Sequence, residues 1–183
     1  MTTPEICYLD ATELAARIRA KQLSPREVVE ALLDRITALN PRINAVVTVM
    51  AEQALAAAAV AEAAVMRGVA LGPLHGVPFT IKDSLDTAGV ATMRGSRLFA
   101  DHVPAQDATA VARLKAAGAI PLGKTNLPEF SYGTETDNLV SGLSRNPWNL
   151  DRTPGGSSGG EAAAIAAGLS PIGLGSDVAI TEQ

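Results

Sequence analysis

Pro154-Gly155-Gly156-Ser157-Ser158-Gly159-Gly160 runs directly into Glu161-Ala162-Ala163-Ala164-Ile165-Ala166-Ala167-Gly168. The second run is made of strong helix formers and closes on a glycine, so the pair reads as a glycine loop feeding a helix. Glycine admits positive φ and lets another chain or a ligand approach closely. A loop entering a helix also points backbone N–H groups at whatever stands before it. Two adjacent hydroxyls, Ser157 and Ser158, are therefore held in a donor-rich setting, supported by Gly155, Gly156 and Gly159. Composition alone would equally allow a flexible Gly/Ser linker. The flanking sequence argues against the linker.

Downstream, Pro171-Ile172-Gly173-Leu174-Gly175 reads as a strand that delivers Ser176-Asp177-Val178-Ala179-Ile180-Thr181. Upstream, residues 141–153 form a long irregular segment rich in Asn, Pro and Gly. Such a connection inside a compact domain is usually functional or mobile. Further back, residues 77–81 read as a strand with Pro78 near its start, ending directly in Lys82-Asp83. Asp107 is expected to cap a helix over residues 108–117, closed by Gly118, and residues 119–123 form a buried strand. Strand, helix and strand in this order imply a βαβ unit with a parallel pair.

The first 70 residues are mostly helical scaffold. Asp10-Ala11-Thr12-Glu13 is a capping box opening a helix to about Lys21. Ser24-Pro25-Arg26-Glu27 opens a second helix, with Ser at the N-cap and Pro at the first helical position, that is expected to stop at Asn40-Pro41. Residues 45–50 read as a short strand, and residues 51–67 as an Ala-rich helix capped by Gly68. The fold class is α/β, in one domain over residues 1–183 whose chemistry-bearing motifs lie in 71–183.

Composition narrows the function classes. Apolar residues make up 47% of the 183, which excludes a disordered chain. The net charge is −4 with no basic stripe, so no nucleic acid partner is expected. No apolar run spans a bilayer and the N-terminus lacks signal-peptide character, so no membrane partner is expected. The single cysteine, Cys7, precludes an internal disulfide and fits a reducing, cytoplasmic setting as a buried small side chain. Only two histidines, His75 and His102, are present, which limits His-based catalysis and metal binding.

The serine pair invites four chemistries. A Ser-His-Asp triad needs a histidine base, and nothing in the spacing brings His75 or His102 to a serine. No His, Cys or carboxylate cluster suggests a metal. A phosphate loop needs Lys-Ser/Thr after its glycines, where Glu161 stands instead. A serine–lysine scheme has the residue types it needs in Ser157 and Lys82, since a desolvated amine can act as a general base. Taken alone, a lysine at a strand end reads more simply as a solvated exit residue.

Four stretches carry a resemblance. Leu74-His75-Gly76-Val77-Pro78-Phe79-Thr80-Ile81-Lys82-Asp83 and Pro154 to Gly160, with Arg145-Asn146-Pro147-Trp148 and Gly173-Leu174-Gly175-Ser176-Asp177, resemble the amidase signature family over essentially the whole chain. The resemblance implies the N-terminal portion of a mixed, largely parallel sheet flanked by helices. It also implies cleavage of a carboxamide C–N bond by a Ser–cis-Ser–Lys triad through an acyl-enzyme, on a small-molecule amide, with no cofactor and no metal. By position Lys82 is the catalytic lysine and Ser157 the bridging serine with the cis peptide. Thr181 falls at the nucleophile position, where serine is expected, and Val178, Ala179 and Ile180 at the oxyanion turn. Asp177 supports the loop.

The family's Gly-Gly-Ser is here Ala179-Ile180-Thr181, and family members continue for several hundred residues more. The resemblance therefore leads us to expect a truncated chain with little or no turnover. Uncovered sheet edges would favour a homo-oligomer. Two other readings stand beside hydrolysis: the amidase component of a tRNA-dependent amidotransferase, and a non-catalytic fragment.

Overall fold

The computed structural model describes residues 3–177. Its helices are α1 (Thr3–Cys7), α2 (Ala11–Arg19), α3 (Pro25–Ile43), α4 (Ala51–Arg67), α5 (Thr109–Ala116) and α6 (Gly159–Ala166). Its strands are β1 (Val46–Val49), β2 (Pro78–Lys82), β3 (Ile120–Thr125) and β4 (Gly173–Leu174). Among the described residues these strands form one sheet in the order β1-β3-β2-β4. β1 runs antiparallel to β3, while β3–β2 and β2–β4 are parallel. The expected βαβ unit is β2–α5–β3, and the fold class is the mixed, largely parallel α/β one.

Local chemistry explains most element ends. Asp10 accepts a hydrogen bond from Glu13 N at 2.8 Å and caps α2. Ser24 and Glu27 form the reciprocal capping box at the start of α3. α3 does not stop at Asn40-Pro41 as the proline suggests. It continues to Ile43 and leaves through Asn44 in the left-handed region, whose N–H donates to Asn40 O at 2.7 Å. Asn40 supplies the exit with its own side chain, accepting from Ala45 N (2.9 Å) and Val46 N (2.8 Å) and donating to Val46 O (2.8 Å). These bonds offset the one donor that Pro41 lacks near the helix end.

Asp107 is not the cap of α5. Residue 108 holds the N-cap position, and the Asp107 carboxylate instead accepts from Ala88 N and from Lys115, each at 2.8 Å. It ties the loop after β2 to the last turn of α5. The charged partner eight residues away wins over the local cap.

The helices cover the sheet from both sides. Leu14, Ile18, Val28, Leu32 and Val65 of the N-terminal helices pack with Val77, Ile120 and Leu122. Phe79 and Ile81 of β2 pack against Val111 of α5. Successive strand residues point to opposite faces, so Thr80 and Lys82 face away from Ile81. Ala163 and Ala164 of α6 pack with Ile36, Ile43 and Val46. Cys7 is buried, with its thiol 3.6 Å from Ala31 O. No helix among the described residues is long and apolar enough to cross a membrane.

Candidate active site

The glycine loop is a structured turn and not a linker. Gly155 takes φ +88°, and its carbonyl accepts from Thr136 Oγ1 at 2.8 Å. Gly156 lies so close to the 133–135 backbone that a Cβ would stand 2.9 Å from Gly133 O. Gly159 and Gly160 belong to the first turn of α6, two residues earlier than the alanine run suggests. A side chain at Gly160 would collide with the Asn126 backbone, and Gly160 N donates to Asn126 O at 3.2 Å. The glycines thus let α6 enter hard against the end of β3.

This entry places Ser157 beside Lys82. The Gly156–Ser157 peptide is cis. Lys82 Nζ lies 2.7 Å from Ser157 Oγ and donates to Ser176 O at 2.9 Å. Ser158 Oγ donates to the same Ser176 carbonyl at 3.0 Å and accepts from Ser176 N at 3.2 Å. The turn after β4 is therefore fastened to both the lysine and the serine pair. Gly156, Ser157, Ser158, Gly175, Ser176 and Asp177 line an open depression at this point. Val178, Ala179, Ile180 and Thr181 lie outside the described residues.

Lys82 is not a solvated exit residue. Its side chain is fully buried, at 0% exposure. Burial lowers its pKa from 10.5 to about 8, while the charges of Asp177 and Glu161 work in the opposite direction. A lysine in this range carries a usable neutral fraction near neutral pH.

Three polar features beneath the site were not singled out from the sequence. Glu161, in the first turn of α6, is buried and accepts from Thr80 Oγ1 and, at 2.7 Å, from Thr125 Oγ1. Burial pushes its carboxyl up from 4.5 to about 7 against those hydrogen bonds and the Lys82 charge. On the other face of the sheet, Lys124 Nζ pairs with Asp83 at 3.2 Å and donates to Leu85 O and Thr92 Oγ1, both at 2.8 Å. Asn126 donates to Gly142 O and Ser144 Oγ, and its Oδ1 accepts from Leu127 N and Asn138 Nδ2. The available signal was a polar trio, Lys124-Thr125-Asn126, ending an apolar strand, and one glutamate inside an Ala/Gly helix.

The histidines stand elsewhere. His75 Nε2 contacts Ala61 O at 3.0 Å, and His102 lies 3.7 Å from Asp86 Oδ1. Neither bonds to the serine pair. A more enclosed apolar groove runs between Arg35, Leu39, Pro147 and Trp148. There Arg35 stacks 4.7 Å from the Tyr8 ring and donates to Ala167 O at 2.7 Å, with no nucleophile beside a base.

Known proteins resemble this chain in sequence and in fold. The family profile described as Amidase matches residues 27–179. The chain is 51% identical over 173 residues to a component of the glutamyl-tRNA(Gln) amidotransferase of Moorella thermoacetica, covering 94% of this chain and 36% of that protein. It is 47% identical over 177 residues to an acylamidase of Rhodococcus erythropolis, covering 97% and 37%. A solved structure of fatty acid amide hydrolase superposes with a TM-score of 0.92 at 31% identity, covering 97% of this chain and 32% of that one. The chain thus spans little more than a third of the length of the curated relatives it matches.

Proposed function

This chain belongs to the amidase signature family, and from that premise we propose that it carries the proton-relay half of an amide-cleaving site. The reaction is hydrolysis of a small-molecule carboxamide. Neutral Lys82 accepts the proton of Ser157, and Ser157 takes the proton of the hydroxyl at residue 181. That oxygen forms a bond to the carbonyl carbon. The C–N bond then breaks, the relayed proton passes to the departing nitrogen, and an acyl ester remains. Water then gives a proton to the same relay as its oxygen bonds to the acyl carbon. The ester C–O bond breaks, the relay returns the proton to the oxygen of residue 181, and the acid is released.

The single observation that carries this reading is the 2.7 Å contact between buried Lys82 and Ser157 at the rim of an open depression. A neutral amine needs no change of position to accept from the hydroxyl it now faces. The backbone N–H groups of residues 178–180 would face the oxyanion in this scheme. The alternative use of the same chemistry, ammonia release for transfer by an amidotransferase, draws on the likeness to the Moorella protein.

The test is labelling by a fluorophosphonate, with the adduct mapped by peptide mass spectrometry. The protein is the chain carrying Ala179→Gly, Ile180→Gly and Thr181→Ser, extended by the C-terminal part of the Moorella relative. Labelling at residue 181 that is lost with Lys82→Met and with Ser157→Ala is the expected result. Labelling at full rate in both variants overturns the relay.

A further inference from the structure

Two carboxylates lie buried near the sheet's end, and they differ in what compensates them. Asp83 has Lys124 at 3.2 Å. Glu161 has no ion-pair partner within 4.0 Å among the described residues. A buried ionisable group without a paired charge is costly, so its retention calls for a reason.

Glu161's surroundings supply one. Its carboxyl oxygens accept from Thr80 and Thr125. Thr80 precedes Lys82 by two residues in β2, on the same face of the sheet. Thr125 is the residue paired with Lys82 across β2 and β3. A Cβ on Gly173 of β4 would fall on the Glu161 carboxylate. One acidic side chain is thus hydrogen-bonded to two strands and packed against a third around the lysine, from a helix that begins two residues after Ser157.

We propose that Glu161 is the positioning residue for Lys82, fixing the strand ends that present the lysine to Ser157 and supplying the negative field that stabilises the ammonium formed when Lys82 takes the serine proton. The catalytic part rests on the reading of Lys82 as the base. Glu161 is not the acceptor of the serine proton, because Ser157 Oγ faces Lys82 Nζ at 2.7 Å while the Glu161 oxygens face Thr80 and Thr125. It acts through the field and through Thr80 and Thr125, not by a direct bond. Asp177, exposed on the turn after β4, raises the Lys82 pKa more than Glu161 does, and Glu161 acts from the buried side. Asp83 and Lys124 face each other on the opposite side of the sheet, so Glu161 is the buried charge available to the amine.

The test is a titration of the Lys82 side chain by NMR in the 183-residue chain, with its signal assigned by its loss in Lys82→Met. Glu161→Gln keeps the shape and removes the charge. With circular dichroism and cooperative unfolding retained, the Lys82 midpoint is expected to fall by about one pH unit, a ten-fold change in proton affinity. Thr125→Val weakens the clamp and is expected to give a smaller fall of the same sign. An unchanged Lys82 midpoint in folded Glu161→Gln overturns the proposal. Should that variant not fold, an unchanged midpoint in Thr125→Val overturns it, and a lowered one supports it. A purely structural glutamate would lower stability without moving the midpoint. This readout needs no turnover, so fluorophosphonate labelling that ignores Lys82→Met would remove the base role and leave the field measurement standing.

Discussion

The Cβ that Gly173 lacks would occupy the space of the Glu161 carboxylate. The carboxylate cannot swing aside, because Thr80 and Thr125 both hold it. Gly173→Ala is therefore expected to lower stability by ~1–3 kcal/mol, the usual cost of an overpacked interior. In a Glu161→Ala background the same alanine should cost much less. Urea unfolding of the four proteins in this cycle checks the coupling. Equal costs in both backgrounds would mean the collision is relieved elsewhere.

The Lys82 and Glu161 titrations predict an unusual pH dependence of stability. Glu161 is raised from 4.5 to about 7, so the folded state binds more protons there and stability falls as pH rises through that window. Lys82 is lowered from 10.5 to about 8, so the unfolded state binds more protons between those values and stability rises with pH. The two groups together contribute least between pH about 7 and about 8. Asp83 is raised and Lys124 lowered, so they add slopes of the same signs. Subtracting the curve of a Lys82→Met/Glu161→Gln double variant isolates the site pair. A difference curve that is flat from about pH 5 to about pH 10 would contradict these shifts.

Breaking the second buried pair should be more costly than replacing it. Lys124 and Asp83 are fully enclosed, at 0% and 1% side-chain exposure. Lys124→Met leaves Asp83 buried without its cation, and the expected loss is ~3–5 kcal/mol. Asp83→Leu combined with Lys124→Met should recover a large part of it. Denaturant midpoints of the single and double variants decide, and a double variant no better than the single would rule out an uncompensated charge as the cause.

Turnover by the 183-residue chain is expected to be little or none, and Thr181→Ser alone should not restore it. On the proposed relay, a threonine methyl at residue 181 would disturb placement of the hydroxyl, and misplacement by about 1 Å costs on the order of 100-fold. By the resemblance, Ala179 and Ile180 would stand where the family turn has glycines, and loss of one oxyanion donor costs roughly 100- to 1000-fold. Serine at 181 repairs only the first defect. Hydrolysis of an activated anilide by the chain and by Thr181→Ser is the measurement. Rapid turnover by either one would make the glycines dispensable.

The sequence by itself determined the elements whose signals are local. The capping box at Ser24, the glycine cap at Gly68 and the strand–helix–strand order around Lys82 all follow from neighbouring residues. The serine loop and the lysine were legible as parts, and their resemblance to a family joined them. Tertiary structure decided what distance in sequence hides. Lys82 read alone as a solvated residue; its burial depends on α6 closing over β2, which Gly160 permits by approaching Asn126. Asp107 gave up a helix cap for Lys115 and Ala88, and α3 ran past Pro41 because Asn40 and Asn44 supply the exit. The Glu161 clamp and the Lys124–Asp83 pair join residues 36 or more and 41 positions apart. Hydrogen bonds and charges act over a few ångströms, so these partners exist only once parallel strands bring their ends into one layer.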